Sequence, residues 1–223
     1  EFLTNSPKEN PFDHKEIYEV LDLCLACKAC KRECPSSVDM AKLKMEFLQH
    51  YYDAHSIPLR TRAIAYISSI NALGMIMPGL TNKIIGSDLL MKPVKKMLGF
   101  AEKRSLPLLS RQTLTKWNKK HKKDAKDSQY PNGKVWMFND EFTNYNESDI
   151  GIKAILLLRR LGYEVCIPKH QHSGRTFLSK GLIRKAQELA VQNVIQLKDV
   201  VSDEMPLVGI EPSAILAFRD EYP

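Results

Sequence analysis

The sequence predicts a fold of α plus α/β type, in which an all-helical N-terminal segment and a helical connector precede an α/β domain with a mostly parallel sheet. Up to about residue 100, apolar residues recur at helical spacing and prolines divide them into separate helices. Beyond residue 132, short apolar runs alternate with helical stretches, as in parallel strands joined by helices. We therefore divide the chain into residues 1–55, 56–132 and 133–223.

The N-terminal segment is predicted to contain two helices on either side of a cysteine-rich loop. Asp13 can cap the first helix, which extends to about Leu21, and Ser36 or Ser37 can cap the second. The apolar positions of the second helix, at helical spacing, are Val38, Met40, Ala41, Leu43, Phe47, Leu48 and Tyr51.

The connector is apolar and rich in methionine up to about residue 100. Pro58, Pro78 and Pro93 divide it into short helices. These breaks, together with Lys83, leave no uncharged run of the ~18 residues that a membrane-spanning helix needs. We expect these helices to pack in a core or between domains, with a hydrophobic partner or a membrane surface as the alternative.

A lysine run in residues 116–126 carries much of the positive charge of this 223-residue chain, whose net charge is +7. No recognised nucleic-acid motif accompanies it, so we expect a solvated linker or a face for an acidic partner, and no nucleic-acid binding. Residues 101–132 lose helical periodicity, which indicates a domain boundary.

The C-terminal domain is predicted to alternate strands with helices. Asn146 or Ser148 can begin a helix that ends at Gly162, residues 181–193 form another, and Pro212 can open a third. The predicted strands are residues 135–138, 163–168 and 207–210.

Four closely spaced cysteines are the most specific chemical signal. Cys24, Cys27, Cys30 and Cys34 follow the spacing C-x2-C-x2-C-x3-C-P. This spacing matches the bacterial run whose thiolates ligate a [4Fe–4S] cluster, the fourth cysteine ordinarily ligating the other cluster of a pair. The alternatives are a zinc site, which usually needs two separated C-x2-C pairs, and a disulfide framework, which is unusual in so cysteine-poor a chain. We predict that all four bind an iron–sulfur cofactor.

Five segments of the sequence carry a resemblance to a known family, and they are residues 23–41, 138–145, 161–165, 173–181 and 209–213. Together they resemble the iron–sulfur portion of FAD-linked oxidases of the glycolate oxidase and D-lactate dehydrogenase type. The iron–sulfur subunit of glycerol-3-phosphate dehydrogenase and the catalytic subunit of heterodisulfide reductase are related. The resemblance implies a ferredoxin-like segment, half of a two-cluster module, followed by a cysteine-rich "CCG" domain.

The resemblance also implies parts that this chain lacks. The first cysteine motif of the module would lie upstream of Glu1, and FAD would bind elsewhere, since no nucleotide-binding glycine motif appears. Cys24, Cys27 and Cys30 would then serve one cluster while Cys34 reaches for another, so we expect the cluster to be labile or absent in this fragment. The N-terminus shows no secretion signal, and we expect a cytoplasmic protein, free or peripheral at the inner membrane.

The C-terminal domain departs from the CCG pattern. That pattern expects a cysteine pair where His172 and Ser173 stand, a cysteine where Ala214 stands, and often one near Glu141. We therefore interpret residues 133–223 as a degenerate copy, retained for packing and docking.

These observations favour an electron-transfer segment of an FAD-linked 2-hydroxyacid dehydrogenase, passing electrons from flavin to an acceptor. Its expected partners are the FAD-oxidase module, the upstream ferredoxin half and an acceptor that can be membrane-associated. Lys28, Lys31 and Arg32 either favour the reduced cluster or are solvated. The alternative is a structural or docking module that holds zinc or no metal.

Other residues allow further hypotheses. His170 and His172 could form an acid–base set with Asp140 and Glu141 if the fold brings them together. Cys166, flanked by apolar residues on the second predicted strand, is expected to be a buried structural cysteine. Arg175 is expected to pair with Glu211 or to face solvent.

Overall fold

The structure, a computed structural model, describes residues 4–6, 8–121 and 130–223. The chain forms two compact units. The first comprises Glu1–Tyr66 and Gly174–Gln187, and the second comprises Ile67–Ser173 and Glu188–Pro223. The division into three consecutive segments stays a prediction of the sequence.

The described elements of the first unit are helices, and the second unit combines helices with a small parallel sheet, as the predicted fold class requires. Up to residue 121 the helices are α1 Lys15–Asp22, α2 Ala29–Glu33, α3 Met40–Ala54, α4 Leu59–Ala65, α5 Ile67–Gly74, α6 Pro78–Ile85, α7 Asp88–Met97 and α8 Leu114–Lys120. From residue 130 onward the elements are β1 Lys134–Phe138, α9 Glu141–Tyr145, α10 Ser148–Arg160, β2 Glu164–Cys166, α11 Arg175–Ser179, α12 Ile183–Leu197, β3 Leu207–Gly209, α13 Pro212–Ile215 and α14 Ala217–Asp220.

The helix after the cysteines begins later than the serines predict. Asp39 is its N-cap, and its Oδ1 accepts hydrogen bonds from the backbone N–H groups of Ala41 and Lys42. Ser37 lies at φ 53°, in the left-handed region, so the chain turns there instead of entering the helix. The predicted cap of the first helix is also wrong, because His14 and not Asp13 holds the N-cap position of α1.

The inward face of α3 is also narrower than predicted. Ala41, Phe47 and Leu48 are buried, as expected, together with Lys44 and Met45. The predicted apolar positions that are exposed instead are Val38, Met40 and Leu43.

The sheet confirms the predicted strand–helix alternation. Within the described part of the chain, the strands are parallel in the order β2-β1-β3. Val135 aligns with Val165 across β1 and β2, and Met137 aligns with Val208 across β1 and β3. The buried core of the second unit includes one cluster of Leu114, Trp117, Val135, Met137, Ile155 and Val165.

Helix α8 lies within residues 101–132, whose sequence shows no helical periodicity. It is short, and only Leu114 and Trp117 are buried, so two apolar residues three positions apart gave too weak a pattern. Thr113 caps it by accepting from the N–H of Lys116. The lysine run begins in this helix, and its residues 122–126 lie outside the described residues.

No helix among the described residues is both long and apolar enough to cross a bilayer. Helices α4 to α7 contain at most 10 residues each. Pro58 and Pro78 lie at the starts of α4 and α6, as predicted, but Pro93 lies inside α7, so the prediction that it divides two helices is wrong.

Gly181 provides a test of packing in the first unit. Its φ is +72°, and a Cβ built there would lie 2.2 Å from Leu48 Cβ. Gly99 has a similar φ of +67° but nothing within 4 Å, so it is a matched control for backbone strain alone. We predict that Gly181→Ala lowers the free energy of unfolding, measured by urea denaturation, by about 1–3 kcal/mol more than Gly99→Ala does. Equal losses for the two variants would contradict this packing.

Candidate metal centre

The four clustered cysteines lie on the surface of the first unit. Cys24 follows α1, Cys27 lies in the loop, Cys30 is in α2 and Cys34 directly follows α2. The thiols of Cys27 and Cys30 are exposed, whereas those of Cys24 and Cys34 are partly buried. The predicted ligands therefore lie together on a short, accessible stretch of the chain.

The cysteine loop, which we define as residues 23–34, has an unusual backbone. Ala26 and Lys28 both lie in the left-handed region, at φ 54° and 61°. For residues other than glycine this conformation costs about 1–2 kcal/mol each. Ala26 is nevertheless buried, and its side chain belongs to a cluster whose other buried members are Ala41, Met45, Leu178 and Ala186. Packing therefore holds the loop in a conformation that its sequence disfavours.

Two cationic side chains also contact this loop, and neither contact was predicted from the sequence. Lys44 Nζ donates to the carbonyl oxygen of Cys24 at 2.6 Å, and Arg175 donates to that of Ala26 at 3.1 Å. Lys44 interrupts the apolar face of α3 between Ala41 and Leu48, which is a detectable signal. Arg175 is 149 residues from Ala26, and no local pattern could have indicated that contact.

Backbone N–H groups are directed at two of the sulfurs. The N–H of Ala26 donates to Cys24 Sγ at 3.4 Å. The N–H groups of Val38, Ser36 and Ser37 lower the pKa of Cys34 below its usual range, Val38 having the largest effect. Hydrogen bonds to a thiolate favour the ionised form that binds metals.

The chemistry of the four thiols suits an iron–sulfur cluster, which takes its thiolates at separate iron atoms. Among the described residues, which include all five cysteines, no group of three or more His, Cys, Asp or Glu side chains could hold one metal ion. The choice between a cluster and zinc therefore stays a prediction of the cysteine spacing.

The basic residues within the loop differ in their surroundings. Lys31 Nζ lies 3.6 Å from Asp39 Oδ2, so the N-cap of α3 partly neutralises its charge. Arg32 is exposed and Lys28 is partly buried. The two interpretations of these side chains, solvation and an effect on the cluster, both stay predictions.

A buried polar network occupies positions where the resembled CCG domain would carry thiolates. Ser173 Oγ donates to Glu141 Oε1 at 2.7 Å, and the Ser173 N–H donates to Glu141 Oε2 at 3.1 Å. Tyr222 donates to the Ser173 carbonyl, and Asn193 donates to both Tyr222 and the His172 carbonyl. Burial raises the pKa of Tyr222 to about 12, so its hydroxyl keeps the donor proton. These hydrogen bonds connect the segments that contain Glu141, Ser173, Asn193 and Tyr222.

The proposed acid–base residues lie in the same region but have structural partners. Asp140 caps α9 and also accepts from the Thr143 hydroxyl, while burial raises the pKa of Asp140. His172 hydrogen-bonds to Ser68, and burial lowers the pKa of His170. The contacts favour a structural role for this set.

A cleft of about 790 Å³ lies beside β2. Its lining includes Lys134, Arg159, Cys166 and His170. Cys166 is partly exposed, not buried as the sequence predicts, and its strand β2 lies at the edge of the sheet formed by the described strands.

The chain is similar over nearly its whole length to curated D-2-hydroxyglutarate dehydrogenases. It is 28% identical over 222 residues to the protein from Escherichia coli (strain K12), covering 96% of this chain and 21% of that protein. With the proteins from Pantoea ananatis and Pseudomonas putida the identities are 30% and 28%, over 96% of this chain and 21% and 22% of theirs. The chain therefore spans about a fifth of these relatives. No protein-family model and no solved structure matches it significantly.

The backbone N–H groups near Cys34 predict that its thiol ionises at a lower pH in the folded chain than in the unfolded chain. In metal-free protein, the N–H groups of residues 36–38 stabilise the thiolate, so the alkylation of Cys34 by iodoacetamide should reach half its maximal rate at a lower pH in the folded chain than in urea. Residue-resolved mass spectrometry across a pH series measures this. An identical or higher midpoint in the folded protein would show that these N–H groups do not stabilise the thiolate.

The Ser173–Glu141 contact predicts a loss of stability that is independent of metal. Ser173→Ala leaves Glu141 Oε1 without its buried donor, and the free energy of unfolding should fall by about 1–3 kcal/mol with no change in iron content. Ser213→Ala removes a comparable bond to Glu211, at 2.6 Å but less buried, and should cost less. A loss of iron in Ser173→Ala would mean that this unit takes part in metal binding.

Proposed function

We propose that this chain is the electron-transfer segment of a flavin-linked 2-hydroxyacid dehydrogenase. Cys24, Cys27, Cys30 and Cys34 would hold an iron–sulfur cluster. The observation that carries the proposal is the cysteine loop, with its specific spacing, accessible thiols and backbone N–H groups directed at sulfur.

The relatives support the dehydrogenase part of the proposal. All four of those compared are D-2-hydroxyglutarate dehydrogenases, and each aligns with at least 95% of this chain. Since the chain corresponds to about a fifth of their length, we assign the substrate site and FAD to the remaining part of the protein. By this assignment the substrate is D-2-hydroxyglutarate or a similar 2-hydroxyacid.

In this proposal the chain contributes ligation and electrostatic environment. A bound [4Fe–4S] cluster supplies one-electron transfer, which lets a two-electron flavin communicate with a one-electron acceptor. The residues of the chain hold the thiolates, donate hydrogen bonds to sulfur and set the local charge. These are the factors by which a protein sets a cluster potential.

The surface around the cysteine loop exposes apolar side chains that another part of a longer protein could cover. Val20, Leu23 and Leu25 are 68%, 81% and 88% exposed although all three are apolar. Contiguous exposed apolar residues mark interaction sites more often than solvated surface. We propose that the upstream ferredoxin half covers this face in the longer protein, and that the FAD module and an electron acceptor are the further partners.

The metal content of the isolated chain tests the proposal. Purified aerobically, the chain should hold fewer than about four irons, because Cys34 is assigned to the second cluster and three thiolates remain for the first. Anaerobic reconstitution should raise iron, sulfide and visible absorbance together. Cys27→Ser should abolish this increase, whereas Cys166→Ser, which changes the fifth cysteine, should leave it intact.

Two outcomes would contradict this account. About four irons per aerobically purified chain would show that the cluster does not need a ligand from outside this chain. Zinc alone, or no metal in any preparation, would favour a structural or docking module without a redox role.

A further inference from the structure

Two positively charged side chains hold the backbone of the cysteine loop at points two residues apart. Lys44 Nζ donates to the Cys24 carbonyl oxygen at 2.6 Å, and Arg175 Nη2 donates to the Ala26 carbonyl oxygen at 3.1 Å. The first donor comes from α3 and the second from the start of α11, which is distant in sequence.

The conformation of the loop makes these contacts important for ligand geometry. Ala26 and Lys28 are left-handed, so this stretch has neither the helical nor the sheet hydrogen-bonding pattern that usually fixes a backbone. The two held carbonyls lie between the side chains of Cys24 and Cys27 along the chain. Fixing these carbonyls therefore fixes the directions in which the two thiols leave the backbone.

The burial of Lys44 indicates that its charge is used. The residue is only 3% exposed, although burying a lysine ammonium carries a large desolvation cost. Methionine has a similar length and would fill the same space on the inward face of α3 without that cost. An ammonium group beside the loop thus has a role beyond packing.

We propose that Lys44 and Arg175 are positioning residues of the iron–sulfur site, which orient the Cys24 and Cys27 thiolates and make the cluster easier to reduce. This inference rests on the proposed function. A cluster with thiolate ligands gains one negative charge on reduction, and nearby fixed cations stabilise that charge. Removing either cation should therefore weaken cluster retention and lower the midpoint potential.

The test uses the 223-residue chain reconstituted anaerobically with iron and sulfide. The variants are Lys44→Met, Arg175→Met and the control Lys42→Met, which changes an exposed lysine on the same helix. Iron loss under a chelator and the midpoint potential, by dye-mediated titration, are measured for each. Lys44→Arg and Arg175→Lys serve as charge-conserving variants.

We expect Lys44→Met and Arg175→Met to bind the cluster about 10- to 100-fold more weakly, as is typical when a group supporting a metal ligand is lost. Their midpoint potentials should fall below that of the wild type. Lys42→Met should match the wild type in both measurements, and the charge-conserving variants should recover the potential even where retention is only partly restored.

Four outcomes distinguish the possibilities. If Lys44→Met and Arg175→Met both match Lys42→Met in cluster retention and in midpoint potential, the inference is overturned. Loss of helical circular dichroism from both metal-free variants assigns these residues to folding and also overturns it. If only Lys44→Met fails to fold, the cluster retention and midpoint potential of Arg175→Met decide whether the inference holds, because Arg175 is partly exposed. A wild-type chain that takes up no iron and sulfide overturns the proposed function, and the inference with it.

Discussion

Ala26 is buried while its backbone lies in the left-handed region, and the geometry of the cysteine loop depends on this combination. An alanine adopts this conformation only where its surroundings compensate for the strain, and here its methyl group packs against side chains of α3, α11 and α12. The hydrogen bonds from Lys44 and Arg175 hold the same stretch. The loop therefore depends on residues 174–187, a segment far from it in sequence.

In the second unit, polar groups stand where the resembled domain has metal ligands. Among the residues that the structure describes, the apolar cluster around β1 and β2 includes no cysteine. Ser173 and Glu141, at or near positions where the resemblance implies thiolates, share a hydrogen bond, and Tyr222 donates to the Ser173 carbonyl oxygen. A serine hydroxyl bonded to a buried carboxylate provides a local link of modest strength and no redox chemistry. In the proposed function, the cluster would lie in the first unit and the second unit would have a structural role.

Local sequence signals predicted the strand–helix alternation, which the sheet confirms, because it depends on spacing over a few residues. The cysteine site rests on spacing of the same kind and stays a prediction. The left-handed Gly162 at the end of α10 and Pro212 at the start of α13 confirm such signals. The contact of Arg175 with the loop could not be predicted, because it depends on the tertiary fold. Asp39 displaced Ser36 and Ser37 as the cap of α3 because the backbone turns at Ser37, and residue type alone does not reveal that turn.

The most direct test of the central claim is the Mössbauer spectrum of the chain reconstituted anaerobically with ⁵⁷Fe and sulfide. We predict the spectrum of a cubane cluster in the wild type, and its loss when Cys24, Cys27, Cys30 and Cys34 are all replaced by serine. A spectrum of mononuclear iron alone, or a cluster spectrum unchanged by the fourfold replacement, would contradict the assignment of the cysteine loop as an iron–sulfur site.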